Sequence, residues 1–197
     1  MIIGVTGTVG SGKGTFCEHI ESKECRLYGF GVEVSGFIKE DLLARGPLNR
    51  EMMQFWGEQA RRIYSAGFWD LRIINKIKNS GFYNNVIDGF RYPDQIERVM
   101  KFARGFGDER FYLVGVDSEQ KIRFRRLNKR GREGDPETWK DFLEMDKRDM
   151  GGYNNGLGQD TEGSMKMADK IILNNGTLED LRREGENFMA SLRSFSR

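Results

Sequence analysis

The stretch GTVGSGKGT at residues 7–15 decides the fold, and it follows the apolar run MIIGVT at residues 1–6. Its glycines let the backbone curl around a phosphate with the N–H groups turned inward, because glycine adopts a positive φ without strain. A helix that begins near Lys13 would add its positive N-terminal end, and the lysine ammonium would reach the phosphate oxygens. A strand, a glycine loop and a helix in this order predict a phosphate-binding loop (P-loop) for a nucleoside triphosphate, and we expect ATP with Mg²⁺.

The loop differs from its commonest form directly after the lysine. A Ser or Thr usually stands there and places its hydroxyl on Mg²⁺, whereas here Gly14 follows Lys13 and the hydroxyl comes one residue later, on Thr15. We predict that Thr15 contributes to the metal site. The residues predicted to bind the donor nucleotide are Gly7, Gly10, Ser11, Gly12, Lys13, Gly14 and Thr15.

Composition restricts the class of protein. The chain has 197 residues, a net charge of +2 and 31% charged residues, which suits one domain and gives the whole molecule no general attraction for nucleic acid. Its two cysteines, Cys17 and Cys25, have neither metal-ligand spacing nor a disulfide framework, and no apolar run is long enough for a signal peptide or a membrane span. We therefore expect a soluble cytoplasmic protein with no membrane partner.

Short apolar runs alternate along the chain with longer amphipathic ones. Strands are predicted at residues 2–6, 26–30, 85–88, 110–116 and 170–173. Helices are predicted at residues 13–22, 50–66, 93–103, 118–130, 136–150 and 178–194. Strands separated by helices indicate parallel βαβ units with both faces of the sheet covered. The predicted fold is an α/β P-loop NTPase, a three-layer sandwich around a five-stranded parallel sheet, with residues 1–197 forming a single domain.

Local signals place several helix and loop boundaries. Gly67 is predicted to stop the second helix. Asp135 is predicted to cap the helix at residues 136–150, with Pro136 at its first position. The glycine-rich stretch at residues 151–160 is interpreted as a mobile loop.

A second stretch, VIDGFRYPDQIE at residues 86–97, reads as a buried strand that ends in an acid. If this strand lies beside the phosphate loop, the carboxylate of Asp88 would hold water ligands of Mg²⁺. Asp88 is therefore the second predicted metal residue.

These two motifs resemble those of the nucleoside monophosphate kinases, the family of adenylate kinase. The loop has the family's form GxxGxGKGT, in which the hydroxyl directly after the lysine is dispensable, and residues 88–91 resemble its DGFPR motif, one residue shorter. The resemblance implies that Arg91 grips the acceptor phosphate and that Gln95 reads the acceptor base. A turn arginine and a helix-capping amide are the alternatives without a ligand.

The stretch between the second and third predicted strands resembles the helical insert of phage-type deoxynucleoside monophosphate kinases and of related archaeal nucleotide kinases. The residues of the pattern are Arg50, Gln54, Gly57, Arg61, Gly67 and Trp69. The resemblance implies an acceptor-binding insert at about residues 33–80, with Arg50 and Arg61 on the phosphate and Gln54 on the base. An arginine offers two parallel donors to phosphate oxygens, which a lysine does not. The alternative for both arginines is a solvated helix face.

The basic run KIRFRRLNKRGR at residues 121–132 contains RLNKRG, which resembles the RLxxRG motif that opens the lid of short-lid nucleoside monophosphate kinases. The resemblance implies a lid at about residues 126–150 that closes cations over the transferring phosphoryl group, where negative charge gathers. A charge run on a solvated helix face is the alternative. The lid candidates are Arg126, Arg130 and Arg132, with Arg148 from the next helix.

The stretch NNGTLEDL at residues 174–181 resembles the NxGTLEEL of dephospho-CoA kinases and several nucleotide kinases, where this loop passes beside the donor adenine. The resemblance implies a backbone contact between Gly176 and the donor base. Thr177 is predicted to cap the last helix, with Asp180 completing a capping-box-like pair.

Phosphoryl transfer from ATP to a nucleoside monophosphate, ribo or deoxy, is the predicted reaction, with this small nucleotide as the acceptor. A phosphate acceptor is already an anion and needs no general base. Transfer to a hydroxyl, as in dephospho-CoA kinase, would need a carboxylate after the second strand, where the chain has Glu33 but not that family's aspartates. A nucleotide-switched ATPase that holds RNA on the basic run is a third alternative, although nucleic acid is not the partner we expect. The sequence does not indicate an oligomeric state.

Overall fold

The computed structural model describes residues 1–21, 25–40, 48–105, 110–151 and 159–194. Within these ranges one sheet is formed by the strands β1 (Ile2–Gly7), β2 (Cys25–Gly29), β3 (Asn84–Phe90), β4 (Phe111–Asp117) and β5 (Lys170–Leu173). Every neighbouring pair is parallel, and the strand order is β2-β3-β1-β4-β5. The predicted five-stranded parallel sheet is confirmed, and each strand begins and ends within about two residues of its predicted bounds.

Helices connect the strands. In the same ranges they are α1 (Lys13–Ile20), α2 (Phe30–Glu40), α3 (Arg50–Ile63), α4 (Phe68–Ser80), α5 (Pro93–Gly105), α6 (Gln120–Arg130), α7 (Trp139–Asp149), α8 (Thr161–Lys166) and α9 (Leu178–Ser194). A helix stands at each predicted place. The helices α2 and α4 fall in the helical insert predicted at about residues 33–80, which had no individual bounds for them, whereas α8 was not predicted. No helix in the described residues is long and apolar enough to cross a membrane.

The sheet is covered on both faces because its central strand is apolar on both sides. All six residues of β1 are buried. On one face, Ile3 and Val5 pack with Phe16 of α1 and Phe188 of α9. On the other face, helices α2 to α5 build a second core against β1 and β3. This arrangement is the predicted three-layer sandwich.

Aromatic contacts hold together the helices that lie between β2 and β3. The ring of Phe37 in α2 meets the rings of Phe68 and Trp69 in α4 edge-on, with centroids 5.5 Å apart in each case. Tyr64, directly after α3, stacks on Phe68 with centroids 4.6 Å apart. These pairs bury large apolar surfaces in favourable geometries, so α2, α3 and α4 pack as one unit over the sheet edge.

Gly67 begins a helix rather than ending one. α3 ends at Ile63, with Tyr64 as its C-cap, and Gly67 is the N-cap of α4. The sequence prediction was wrong here because glycine is accepted at both ends of helices, and two helices follow each other closely at this point.

The start of α7 was also predicted wrongly. Its N-cap is Thr138, whose hydroxyl accepts from the N–H of Asp141 (3.2 Å) while the Asp141 carboxylate accepts from the N–H of Thr138 (3.2 Å). Asp135 instead accepts from Arg130 Nε (2.9 Å) and from the N–H of Arg132 (3.1 Å). The carboxylate expected to cap the following helix therefore binds the end of the preceding one.

The acceptor-binding insert predicted at about residues 33–80 falls outside the described residues from residue 41 to residue 47, and two further predictions do so in part. The glycine-rich stretch at residues 151–160 does so from residue 152 to residue 158, and the first predicted helix does so at residue 22. In the described part, α1 ends at Ile20 with Glu21 as its C-cap.

Thr138→Ala tests the cap of α7. We expect it to lower the free energy of unfolding by about 1 kcal/mol, because the N–H of Asp141 loses its acceptor. Denaturant unfolding measures the change, with Glu137→Ala at the exposed neighbouring position as the control. Equal stability of the two variants would contradict the role of this cap.

Candidate active site

The P-loop leaves the C-terminal end of β1, and three of its glycines, Gly7, Gly10 and Gly12, have positive φ. Gly7 is the most constrained, since a Cβ there would lie 2.0 Å from the Val116 carbonyl oxygen. At Gly14, by contrast, a Cβ would meet no atom within 4 Å. The backbone requires glycine at the start of the loop, whereas Gly14 leaves open space beside it.

Hydrogen bonds from the neighbouring strands hold the loop in place. The Thr8 hydroxyl donates to Asp117 at the end of β4 (2.7 Å), and the side-chain amide of Asn174, directly after β5, donates to the Ser11 carbonyl (2.7 Å). Asp117 also accepts from the N–H of Ser118 (2.8 Å). Sequence reasoning missed this role for Asp117 and Asn174. Their position as polar residues at the ends of strands is the signal that could have found them.

The Lys13 ammonium bends back over the loop and donates to the Thr8 carbonyl (2.8 Å). Burial, with the nearby Arg91 guanidinium, lowers the pKa of Lys13 to about 7, although the carboxylates of Asp88 and Asp149 oppose this shift. A bound phosphate would add negative charge and favour the ammonium form again. Lys13 is therefore placed to gain a proton when an anion binds the loop.

The donor side also contains two buried polar atoms without a hydrogen-bond partner among the described residues, the Ser11 hydroxyl and Asp88 Oδ1. Asp88 lies beside Val5 of β1, and Thr15 is exposed in the first turn of α1. A buried oxygen without a partner is costly unless a ligand or water completes it. These residues fit a nucleoside triphosphate with hydrated Mg²⁺, with Asp88 and Thr15 as the oxygens that would hold the metal's water shell.

A cavity of about 270 Å³ opens beside the loop, between β3 and helices α2, α3 and α4. It brings together six of the candidates, Lys13, Arg50, Gln54, Asp88, Arg91 and Gln95. Much of the remaining wall is apolar and comes from Phe30, Val34, Met53 and Trp69. Cationic groups beside an apolar wall suit a phosphorylated molecule with a flat apolar part.

A carboxylate that the sequence did not single out, Asp149, binds three of these candidates. Arg50 Nη2 donates to Asp149 Oδ2, and Gln54 Nε2 donates to Oδ1 (3.2 Å). Arg91 Nη1 lies 3.8 Å from Oδ2. The Asp149 side chain is 1% exposed and reaches these residues from the end of α7. No local pattern marks it, because all three contacts form only in the tertiary structure.

Hydrogen bonds hold the backbone of Arg91 at both its N–H and its carbonyl. Its N–H donates to Gln95 Oε1 (3.2 Å), and its carbonyl accepts from the N–H of Asp160 (2.8 Å). Its guanidinium Nη1 also lies 3.4 Å from the Thr161 hydroxyl. Gln95 is buried, caps the turn after β3 and lines the cavity, so its capping and its cavity position are compatible.

The structure does not bring Arg61 into the cavity. Its guanidinium binds Asp94 (2.9 and 3.2 Å) and the Ala66 carbonyl (2.6 Å), and it lies over the Tyr92 ring at 3.9 Å from the centroid. These contacts occupy its donors and its flat face. Glu33, the acid considered for a hydroxyl acceptor, is also absent from the cavity lining, because it is buried against Lys76 (2.5 Å) and Arg72 (3.4 Å).

Arg126 lies on the donor side of the loop. Its guanidinium is 3.4 Å from the Ser11 carbonyl, 3.3 Å from Asn174 Oδ1 and 3.4 Å from the Gly176 carbonyl. Burial lowers its pKa. Arg126 thus joins the P-loop to the loop after β5, where Gly176 was predicted to meet the donor base.

The other lid candidates lie apart from the 270 Å³ cavity. Arg130 pairs with Asp135, and Arg132 is exposed. Arg148 lines a wider groove of about 820 Å³ between α7, the residues that precede it and the start of α3, which it shares with Arg50. Arg50 therefore stands where the groove and the cavity meet.

The cap predicted after β5 is confirmed. The Thr177 hydroxyl accepts from the N–H of Asp180 (3.2 Å), and the Asp180 carboxylate accepts from the N–H of Thr177 (2.9 Å). This reciprocal pair begins α9 and holds the loop that contains Gly176.

The pKa of Lys13 predicts proton uptake on nucleotide binding. Near pH 8, about one unit above this pKa, the free amine is mostly neutral, and a bound triphosphate should restore the ammonium form. Calorimetric titration with ATP·Mg²⁺ in buffers of different ionisation enthalpy should therefore show uptake of nearly one proton near pH 8, falling toward zero well below the pKa. The Lys13→Met variant serves as the control. Binding by the unaltered protein near pH 8 without proton uptake would contradict the assignment.

The chain is similar to known proteins in sequence and in structure. A family model described as an AAA domain matches residues 3–151. The UPF0200 protein of Pyrococcus horikoshii is 32% identical over 98% of this chain and 98% of its own length. The UPF0200 protein of Thermococcus kodakarensis is 32% identical over 93% of this chain and 94% of its own length.

Solved structures share the fold. TT1252 from Thermus thermophilus is 19% identical with a TM-score of 0.61, covering 98% of this chain and 97% of that one. A shikimate kinase from Bacteroides thetaiotaomicron is 11% identical with a TM-score of 0.58, covering 96% of this chain and 98% of that one. The predicted α/β P-loop NTPase fold is confirmed. From the sequence matches, the chain belongs to the AAA domain family and to the UPF0200 proteins.

Proposed function

We propose that this chain transfers the γ-phosphoryl group of ATP to the phosphate of a nucleoside monophosphate, ribo or deoxy, and so forms a diphosphate. The observation that carries the proposal is the convergence of Arg50 and Arg91 on one carboxylate, Asp149, close to Lys13. The guanidinium groups of α3 and of the loop after β3 already lie around a carboxylate anion there. A phosphate monoester is an anion that offers them the same paired oxygens.

The chain's own residues would supply positioning and charge rather than proton transfer. Lys13 and the loop N–H groups would hold the donor phosphates, while Arg50 and Arg91 would hold the acceptor phosphate. Because the acceptor oxygen is an anion near neutral pH, the reaction needs no general base. Bound Mg²⁺ would supply charge neutralisation on the donor phosphates, on the side of Asp88 and Thr15.

The cavity wall supports a base as the second part of the acceptor. The indole N–H of Trp69 donates to the Gly57 carbonyl (2.8 Å), so the ring offers the cavity an apolar surface. The side-chain amides of Gln54 and Gln95 lie in the same wall and offer hydrogen bonds to a base edge. At about 270 Å³ the cavity lies near the lower end of small-molecule sites, which favours a single nucleotide.

Transfer to a hydroxyl is the second candidate, because Asp149 places a carboxylate among the same arginines. Both of its oxygens, however, accept hydrogen bonds from Arg50 and Gln54, so neither is directed at a substrate proton. Glu33 is held by Lys76 and Arg72 away from the cavity. These contacts favour a phosphate over a hydroxyl as the acceptor.

The basic run is less suited to RNA than its composition indicates. Arg123 is buried and donates to Asp146 (2.8 Å) and to the Val9 carbonyl (3.2 Å). Phe124, the run's single aromatic residue, packs edge-on against Trp139 with centroids 5.5 Å apart. One cation and the only stacking group of the run are therefore used inside the protein.

A coupled ADP-release assay with ATP·Mg²⁺ tests the proposal directly. The acceptors are AMP, CMP, UMP, GMP, their deoxy forms and dephospho-CoA, and Lys13→Ala is the control for a functional P-loop. We expect turnover with one or a few monophosphates and formation of the diphosphate. Turnover with dephospho-CoA alone, or with no acceptor while ATP still binds, would reject a nucleoside monophosphate kinase.

Arg91→Ala tests the acceptor clamp. Loss of a guanidinium from the reacting phosphate should lower kcat/KM for the monophosphate by about 100-fold or more, and Arg91→Lys should recover only part of it because a lysine cannot bind two oxygens in parallel. Arg125→Lys and Arg125→Ala, on the exposed face of α6, are the matched controls. If Arg91→Ala lost no more activity than Arg125→Ala, Arg91 would not be the clamp.

A further inference from the structure

The carboxylate of Asp149 occupies the arginine pair that the acceptor phosphate would use, and the identity of that acceptor rests on the proposed function. Asp149 accepts from Arg50 and Gln54 and lies within 3.8 Å of Arg91. It thereby compensates part of the positive charge that would attract a phosphate. A phosphate that takes up the donors Arg50 Nη2 and Arg91 Nη1 must displace Asp149 from them.

We infer that Asp149 competes with the acceptor phosphate for Arg50 and Arg91, and so lowers the occupancy of the site by free anions. A bare anion such as inorganic phosphate gains only the contacts with the arginines, and it must break the Asp149 contacts to form them. A nucleotide also gains the apolar wall that includes Phe30 and Trp69, and this gain offsets the cost of displacement. Asp149 thus weakens both ligands by the same cost, and only an acceptor that also gains the cavity wall still binds well.

The position of Asp149 makes the exchange feasible. It is the last residue of α7, and Met150 and Gly151 follow it, with Gly151 at a φ of 105°. The Arg50 and Arg91 side chains are each 22% exposed, so an incoming anion can reach them. A movement confined to the helix end leaves the packing of the rest of α7 intact.

The pair between Arg123 and Asp146, one turn earlier on α7, shows the contrasting case. Its two side chains are 5% and 6% exposed, and Asp146 also accepts from Gln120 (2.9 Å). That pair is buried between α6, α7 and the P-loop residue Val9, so a ligand does not reach it. Of the two carboxylates, Asp149 is the one whose arginine partners also line the cavity.

Asp149→Asn tests the competition, because it keeps the side-chain shape and removes the charge. With the full chain, calorimetry should give a dissociation constant for inorganic phosphate at least about tenfold lower than that of the unaltered protein. Asp149→Glu keeps the charge and should stay near the unaltered value. Glu97→Gln removes a charge from an exposed position on α5, outside both the cavity and the groove, and should do the same.

Two further measurements distinguish competition for the arginines from a purely structural effect of the substitution. Inorganic phosphate should raise the unfolding temperature of Asp149→Asn more than that of the unaltered protein, since it replaces the missing anion. In turnover with the preferred monophosphate, Asp149→Asn should lower KM. Unchanged or weaker phosphate binding by Asp149→Asn would overturn the competition, and so would a loss of kcat with KM retained, which would identify a proton acceptor.

These outcomes are separate from failure of the proposed function. Tighter phosphate binding by Asp149→Asn together with no turnover on any monophosphate would reject the kinase activity and retain the competition. Turnover on a monophosphate with no gain in phosphate affinity would do the reverse.

Discussion

The close contact between Gly7 and the Val116 carbonyl determines where the site lies. It brings the end of β1 so near to β4 that no side chain fits between them, and the P-loop begins at that point. Because β1 is flanked by β3 and β4, the loop has Asp88 on one side and Asp117 on the other. Asp88 keeps an oxygen without a hydrogen-bond partner in the described part of the chain, whereas Asp117 holds the loop. The strand order thus assigns different tasks to two acids that look alike in the sequence.

The proposed acceptor site is assembled from parts of the chain that are far apart in sequence. Arg50 comes from α3, Arg91 follows β3, and Asp149 ends α7, so no single segment contains the site. The apolar contacts of α2, α3 and α4 with the sheet hold Arg50 in place, and the Gln95 side chain holds the backbone of Arg91. Movement at the end of α7 would therefore change the charge at the arginines without moving them, because α7 contributes only the carboxylate.

The sequence predicted the sheet and the P-loop well because their signals are local. Glycines that need a positive φ and short apolar runs between helices leave the same traces wherever they occur. The same sequence did not reveal Asp149, since its partners are 58 to 99 residues away and no spacing marks such a contact. Arg61 and Arg130 were selected because arginines stand at those places in the resembling family motifs, and their carboxylate partners, Asp94 and Asp135, became visible only in the structure. Residue type identifies groups that are able to bind phosphate. It does not show which of them already bind a carboxylate of the protein.

The near-neutral charge of the chain explains why residue type alone misleads here. With 32 basic and 30 acidic residues, an arginine can readily find a carboxylate, and pairs such as Arg123 with Asp146 and Arg61 with Asp94 have done so. A pair in the core is permanent, because breaking it would leave a buried charge without a partner. A pair whose arginines also line a cavity differs, because an incoming anion can replace the carboxylate as it leaves, and the charge is never uncompensated. The Asp149 cluster meets that condition and those two pairs do not, so under the proposed exchange its arginines remain available to an incoming anion.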